Sequence, residues 1–293
     1  MKIKNNYDQN DKFKVYIDSK FNKNGKMHFG EYLIKGKSKK EILISTYICH
    51  PSMANNELSG PIVSMALINF FKKKYNKKTI RFVFIPETIG SIAYIYHNRN
   101  KLKKNVFGGY VLSCIGDEKR YSCMLSKYKN IPSDFALLEA FKKLNIPFKE
   151  YSFLENGSDE RQYCSPMIEL PLSSIFRSKY GTFPEYHTSL DNFKLVTIKG
   201  LTGGFNVAKE SIKLLLNYKF PKTRFACEPQ MGKRGMYPLV SLPYKKKSLK
   251  NIMNFIQYSD GKNHLERISD ILKIKFSETK KIYHYLKKNK IVN

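Results

Sequence analysis

Histidine and acidic side chains follow three successive apolar segments of this sequence. His50 comes directly after EILISTYIC, Glu87 follows RFVFIP, and Asp117 follows GGYVLSCIG. Imidazole nitrogen and carboxylate oxygen are ligands of Zn²⁺, and a carboxylate that is not bound to the metal can act as a general base. These residue types favour metal-assisted hydrolysis if the three segments end at the same place.

Two later polar segments add further candidates. NGSDERQYC and GTFPEYHTSLDN contribute Asp159, Glu160, Arg161, Glu185, His187 and Asp191. Each candidate also has a structural interpretation: His50 could be a hydrogen-bonded structural histidine, Glu87 could cap the following helix, and Asp117 could belong to an ordinary turn. The residues alone leave both interpretations open.

The segments that must position these residues alternate between strand and helix patterns. EILISTYI, TIRFVFI and VFGGYVLSC are β-rich, and between them lie an amphipathic helix, in GPIVSMALINFFKKKY, and a second helix, in SIAYIYHNRN. This alternation predicts an α/β fold with a central mixed, mostly parallel sheet flanked by helices, in which sites form at the carboxyl ends of strands. At the beginning of the chain, KVYIDSKF and KMHFGEYLIKG predict a strand pair with KNGK as its turn.

Composition bounds the class of protein. The 293 residues carry a net charge of +29, but the lysines are spread along the whole chain, so we interpret them mainly as solvated surface and expect no nucleic-acid partner. The sequence has no apolar run long enough for a membrane segment or a signal peptide, so we expect the protein to be in the cytoplasm. The five cysteines lack CxxC spacing and predict reduced residues, with Cys49 and Cys114 as small buried hydrophobes.

Several motifs carry a family resemblance. STYICHPSMANNELSG, FVFIPETIGSIAY, CIGDE, GSDERQYCSP and RSKYGTFPEYHTSLDN resemble an uncharacterised bacterial family with an aminopeptidase-like zinc-hydrolase domain, related to co-catalytic zinc aminopeptidases and glutaminyl cyclases. The resemblance covers residues from about 13 to 240. Relatives carry more chain before the equivalent of KVYIDSKF, so a portion of the pocket is expected to be missing here.

The resemblance implies a site and a reaction. His50, Asp117 and His187 would bind Zn²⁺, and Glu87 would be the general base in the hydrolysis of a peptide or small amide, with a role in surface-polysaccharide biosynthesis. The metal-bridging aspartate of the aminopeptidases is replaced by Asn56, which favours one zinc ion over two.

A second acidic position of the aminopeptidases is replaced by Thr88. The sequence leaves open whether Glu57 or Glu87 supplies a further metal ligand, and Asn56 is also a possible ligand. A non-catalytic, metal-poor scaffold or binding protein is the alternative function.

Five further residues are expected around the substrate. Asp159 would lie beside the site, Glu160 and Glu185 would hold an ammonium group, and Arg161 and Arg177 would hold a carboxylate or phosphate. Arg161 has an equal structural interpretation, in which it pairs with Asp159.

The last fifty residues predict a separate unit. Three helices, 249–258, 265–272 and 277–288, resemble a winged-helix module over residues 244–293, following the hydrolase domain of residues 1–243. Ile282, Tyr285 and Leu286 are expected to point inward. Winged helices bind DNA or proteins, and we expect this one to dock a protein partner; a homo-oligomer is left open.

Overall fold

The fold is built on one mixed sheet of seven strands. The computed structural model describes residues 8, 10–74, 76–236 and 243–293. The strands are β1 (Gly30–Ile34), β2 (Ser38–Tyr47), β3 (Lys78–Ile85), β4 (Val106–Leu112), β5 (Ser122–Met124), β6 (Lys149–Tyr151) and β7 (Leu172–Phe176). They lie in the order β1-β3-β2-β4-β7-β5-β6.

The centre of the sheet is parallel and its flanks are mixed. β2 pairs in parallel with β3 and β4, and β4 pairs in parallel with β7. The pairs β1 with β3 and β5 with β7 are antiparallel, whereas β5 and β6 are parallel. The predicted central mixed, mostly parallel sheet is confirmed.

Helices cover both faces of the sheet, which is why the central strands are almost continuously apolar. In the first domain these are α1 (Ser59–Lys72), α2 (Ile89–Asn105), α3 (Pro132–Lys143), α4 (Asp159–Tyr163) and α5 (Ile198–Asn217). Val63, Leu67 and Phe71 of α1 are buried in one core, and Leu102 of α2 is buried in the core on the opposite face.

Two glycines let α5 pack closely on the end of β4. A Cβ on Gly200 would lie 2.0 Å from the carbonyl oxygen of Gly116, and one on Gly204 would lie 2.6 Å from that of Ile115. Real Cβ atoms do not approach backbone this closely, so both positions require glycine. The contact supports the strand end that leads to Asp117.

The predicted strand pair at the beginning of the chain is wrong. Residues 13–21 form no strand, although residues 22–25 do form a turn, in which the Gly25 amide donates to the Asn22 carbonyl at 3.0 Å. β1 instead pairs along the edge of the sheet with β3. An isolated hairpin is only marginally stable in water, whereas β3 offers a strand edge backed by a core.

The C-terminal unit has its own core. Its helices are α6 (Pro243–Gln257), α7 (Leu265–Leu272) and α8 (Phe276–Lys288). Residues before α6 join that core, because Met231 and Met236 pack with Phe255, Ile268 and Leu286. Isolated bridges join Lys222 to Asp260 and Thr223 to Val292.

One inward position of α8 differs from the prediction. Ile282 and Leu286 are buried, but Tyr285 is 39% exposed and Tyr283 is buried in its place. Positions 279, 282, 283 and 286 follow the i, i+3, i+4, i+7 spacing of one helical face, and position 285 lies beside that stripe.

Candidate functional site

His50 lies just beyond the carboxyl end of β2, between two carboxylates. Its Nδ1 is 3.0 Å from Glu57 Oε2, and its Nε2 is 3.4 Å from Glu87 Oε2. An ionised carboxylate only accepts hydrogen bonds, so the proton on Nδ1 belongs to the contact with Glu57. Nε2 then points a lone pair at another acceptor, an arrangement that needs a proton or a cation between the two atoms.

The loop after His50 is held by an aspartate from a distant segment. Residues 54–58 form a single π-helical turn before α1, and their first amides point at Asp191. Asn55 N donates to Asp191 Oδ1 at 2.6 Å, and Asn56 N donates to Oδ2 at 2.9 Å. Asp191 is fully buried. It therefore ties the segment that carries His187 to the segment that follows His50.

His187 approaches His50 from this second segment. The two imidazole rings have centroids 5.3 Å apart. His187 has a positive φ of 55° and stacks on Tyr186 with ring centroids 3.9 Å apart. The side chain is exposed, so it faces the open side of the site.

Cys49 lies at this site, and the sequence-based prediction of its environment was wrong. It was expected to be a small buried residue, but it is exposed because β2 ends at Tyr47 and the chain leaves the sheet there. One potential ligand atom from each of Cys49, His50 and Glu87 lies within 4.8 Å of the others, the one such group of three among the described residues. Partial burial and nearby carboxylates raise the pKa of the Cys49 thiol to about 11.

Asp117 lies in a separate hydrogen-bond network. Its carboxylate accepts from the Ser178 amide at 2.9 Å and the Ser178 hydroxyl at 2.8 Å, and also from Asn55 Nδ2 at 3.0 Å and the Lys119 amide at 2.9 Å. The structure does not bring Asp117 into the cluster of Cys49 and His50, and metal binding by Asp117 stays a prediction. The donors Asn55 and Ser178 come from distant parts of the chain, so local spacing gave no signal for this network.

Two buried oxygens near His50 have no hydrogen-bond partner. Asn56 donates through Nδ2 to the Tyr47 hydroxyl at 3.0 Å, which leaves its Oδ1 unpaired. Glu57 Oε1 is unpaired as well, and burial raises the pKa of Glu57 while the contact with His50 partly offsets that rise. Unpaired buried acceptors beside an imidazole are consistent with a cation site.

Glu87 is fixed by the segment that precedes α4. The Ser158 hydroxyl donates to Glu87 Oε1. The next residue along, Asp159, accepts from the Thr88 amide at 2.8 Å, and burial raises the pKa of Asp159 to about 7. Thr88, with a positive φ of 59°, is the residue immediately before α2. These contacts leave Glu87 Oε2 as the atom that faces His50.

The remaining substrate candidates have partners within the protein. The Glu160 carboxylate accepts from the Tyr180 hydroxyl at 2.6 Å and from two amides, those of residues 157 and 158, at 3.0 Å. Arg161 binds Asn156, with Nε 2.5 Å from Oδ1, and does not form the alternative pair with Asp159. Both side chains therefore shape the segment around Ser158.

Arg177 and Glu185 lie on the Asp117 side of the site. Arg177 is buried, donates to the Asp117 carbonyl at 2.7 Å and stacks over the Tyr121 ring at 3.5 Å. Its Nη1 has no hydrogen-bond partner. Glu185 pairs with Lys119 at 2.6 Å near the surface. Substrate binding by either residue stays a prediction.

The donor set suits a zinc ion. Imidazole, thiolate and carboxylate are the side chains that bind Zn²⁺ in proteins, and all three types meet at the end of β2. The unpaired oxygens of Asn56 and Glu57 and the facing acceptors of His50 and Glu87 are also relieved by a cation. The residues present therefore fit the zinc ion that the family resemblance led us to expect.

Comparisons with known families match both parts of the chain. Residues 13–217 match the family described as Domain of unknown function (DUF4910). Residues 219–293 match a winged helix-turn-helix family. None of the described helices is long and apolar enough to cross a membrane.

One relative with a similar sequence is longer than this chain. A Clostridium acetobutylicum protein named for polysaccharide biosynthesis and an aminopeptidase-like domain is 36% identical over 268 residues, which are 89% of this chain and 60% of the relative. This chain thus spans about 60% of the relative's length.

Solved structures show the same fold. A candidate peptidase from Clostridium acetobutylicum matches with a TM-score of 0.67 and 33% identity over 90% of this chain and 60% of that one. A Bacillus subtilis zinc aminopeptidase matches with a TM-score of 0.56 and 16% identity over 64% and 49% of the two chains.

Proposed function

Because the chain belongs to the DUF4910 family and has an aminopeptidase-like fold, we propose that it is a zinc-dependent hydrolase that cleaves a peptide or a small amide. The observation that carries the proposal is the contact between His50 Nε2 and Glu87 Oε2, two groups that face each other across 3.4 Å at the carboxyl edge of the sheet. The name of the Clostridium acetobutylicum relative further suggests a substrate in polysaccharide biosynthesis.

His50 and His187 would hold one zinc ion. The Glu57 carboxylate would accept a hydrogen bond from His50 Nδ1–H, which would fix the tautomer and leave Nε2 free to bind the ion. When bound, zinc supplies a Lewis acid that polarises the carbonyl of the scissile amide. Asp117 would join the ligands only by exchanging some of its four hydrogen bonds.

Glu87 would transfer the proton of the attacking water. Its Oε1 is occupied by the Ser158 hydroxyl, and its Oε2 faces the space beside His50. An attacking water can therefore give its proton to Oε2, and the same oxygen can return it to the leaving amine. Changing Glu87→Gln separates this role from ligation: loss of activity with zinc retained identifies a base, and loss of zinc identifies a ligand.

The test of the proposed function is metal content together with amide hydrolysis. Purified protein should contain one equivalent of zinc that a chelator removes along with the activity, and His187→Ala should lose both. His284→Ala provides a matched control, since His284 is an exposed histidine of α8 far along the chain from the site. Stoichiometric zinc retained by His187→Ala would show that His187 is not a ligand.

A second candidate function is a non-catalytic protein that docks a partner through its winged-helix module. The resemblance to the aminopeptidases implies that Asn56 and Thr88 replace carboxylates of that family, and four hydrogen bonds surround the Asp117 carboxylate. These features favour weak metal binding. Purified protein without zinc, and with no affinity for added zinc, would support this candidate against the hydrolase.

A further inference from the structure

Cys49 meets the requirements for a metal ligand more closely than Asp117 does. Its sulfur belongs to the group of three potential ligands, with His50 and Glu87, whose ligand atoms lie within 4.8 Å of one another. The Cys49 sulfur accepts one backbone N–H, whereas four donors surround the Asp117 carboxylate. The thiol is also open to solvent.

A backbone amide is aimed at the sulfur. The Glu87 N–H donates to Cys49 Sγ at 3.1 Å. The contact holds the sulfur beside Glu87, and a sulfur that accepts one N–H keeps a further lone pair with which it can bind an ion. It also joins the ends of β2 and β3, because Cys49 and Glu87 follow these adjacent parallel strands.

We propose that Cys49 is a ligand of the zinc ion, so that the site has mixed sulfur, nitrogen and oxygen ligands. This inference rests on the proposed metal site and extends it with a ligand type that the resemblance to zinc aminopeptidases does not supply. The thiolate provides the negative charge that Asn56 cannot provide in place of an aspartate. Sulfur also favours zinc over the harder ions magnesium and calcium.

Cobalt substitution tests the proposal without relying on activity. Co²⁺ bound by a thiolate shows an intense sulfur-to-metal charge-transfer band in the near ultraviolet, which imidazole and carboxylate ligands do not produce. The full chain loaded with Co²⁺ should show this band. Cys49→Ser should lose it and bind Co²⁺ at least about tenfold more weakly, whereas Cys227→Ser should keep both properties.

Cys227 is a matched control because the exposed free cysteines in the described parts of the chain are Cys49 and Cys227. Alkylation with iodoacetamide followed by peptide mass mapping gives a second readout. Zinc should suppress labelling of Cys49 and leave labelling of Cys227 unchanged. A chelator should restore the labelling of Cys49.

Three outcomes would overturn the proposal in different ways. Stoichiometric Co²⁺ binding without the charge-transfer band would exclude Cys49 as a ligand while the hydrolase proposal survives. A band that persists in Cys49→Ser would assign the sulfur ligand to another cysteine. Failure of the full chain to bind Co²⁺ or Zn²⁺ at all would exclude both this ligand and the proposed function.

Discussion

Glu57 determines which ring nitrogen of His50 is available to bind a cation. It is buried, and one of its oxygens lies 3.0 Å from His50 Nδ1 while the other has no partner. A carboxylate behind a metal-binding histidine fixes the ring and makes the opposite nitrogen more basic. The sequence position of Glu57, next to Asn56, suggested a ligand; its contact with Nδ1 points to a supporting role.

We therefore expect Glu57→Gln to weaken zinc binding by about 10–100-fold without removing it. The amide can still contact Nδ1, but it no longer carries the charge that strengthens the imidazole. Competition with a chromogenic chelator measures the affinity. Glu150→Gln, which changes a surface carboxylate paired with Lys129, should leave the affinity unchanged; an equal loss in both variants would mean that net charge and not the His50 contact is responsible.

At the scale of secondary-structure elements, Asp191 connects two loops that carry histidines. Its carboxylate accepts hydrogen bonds from the amides of Asn55 and Asn56, the second and third residues of the π-helical turn after His50. Asp191→Ala should lower the free energy of unfolding by about 1–3 kcal/mol, because two buried amides lose their acceptor. It should also weaken zinc binding, since His187 lies on the same segment.

Urea unfolding and chelator competition measure these two effects of Asp191→Ala. Asp270→Ala, which removes an exposed carboxylate from α7, serves as the control for stability. A destabilised Asp191→Ala protein with unaltered zinc affinity would show that the two histidine loops are not coupled through Asp191.

Lys78 connects the start of β3 to the end of α5. Its ammonium donates to the carbonyls of Leu215, Leu216 and Tyr218 at 2.8–3.1 Å. Burial, with a smaller effect from the charge of Lys77, lowers the pKa of Lys78 from 10.5 to about 8. Between these two values the unfolded chain holds a proton that the folded chain has released.

The free energy of unfolding of the wild-type protein should therefore rise with pH between about 8 and 10.5, relative to Lys78→Met. Below pH 8 both states are protonated, so the difference between the two proteins should be constant there. Urea titrations at a series of pH values measure the slope. A difference that does not change across this range would contradict the lowered pKa.

The central strands were predictable because β2, β3 and β4 are buried on both faces and are therefore continuously apolar. The position of the site at the carboxyl edge of the sheet was also predictable, because polar residues follow each of these apolar runs. Parallel neighbours end at the same edge, which brings His50 beside Glu87. The short β6 and α4 lacked a periodic signal. Cys49 was misplaced because its exposure depends on where the chain leaves β2, and element ends are poorly specified by local sequence.

At the scale of the whole molecule, the winged-helix module packs against the first domain through aromatic rings. His264 of the module is buried and stacks on Tyr218 with ring centroids 4.0 Å apart, and its ring is 5.3 Å from that of Phe135. Its Nδ1 also accepts the Arg267 amide at the start of α7. One side chain thus caps a helix and joins two units.

His264→Ala should destabilise the module by at least about 1 kcal/mol through loss of stacking and of the cap. Limited proteolysis should cut between the two units faster than in the wild-type protein, while zinc content stays the same. His284→Ala, on the exposed side of α8, should leave the cleavage rate unaltered. Unaltered cleavage of His264→Ala would show that the stack does not hold the units together.

The module adjoins the amino-terminal edge of the sheet. A cavity of about 920 Å³ lies there. On the sheet it is lined by Lys40, Lys78 and Phe107, near the beginnings of β2, β3 and β4, and on the side of the module it is lined by Lys222 and Asp260. His50 and Glu87 lie at the opposite ends of the same strands, and ten residues of β2 span about 30 Å. If the module docks a macromolecule and the site at His50 and Glu87 is a hydrolase site, as proposed, the docked partner would lie at the opposite edge of the sheet from that site, and a small substrate would still reach it.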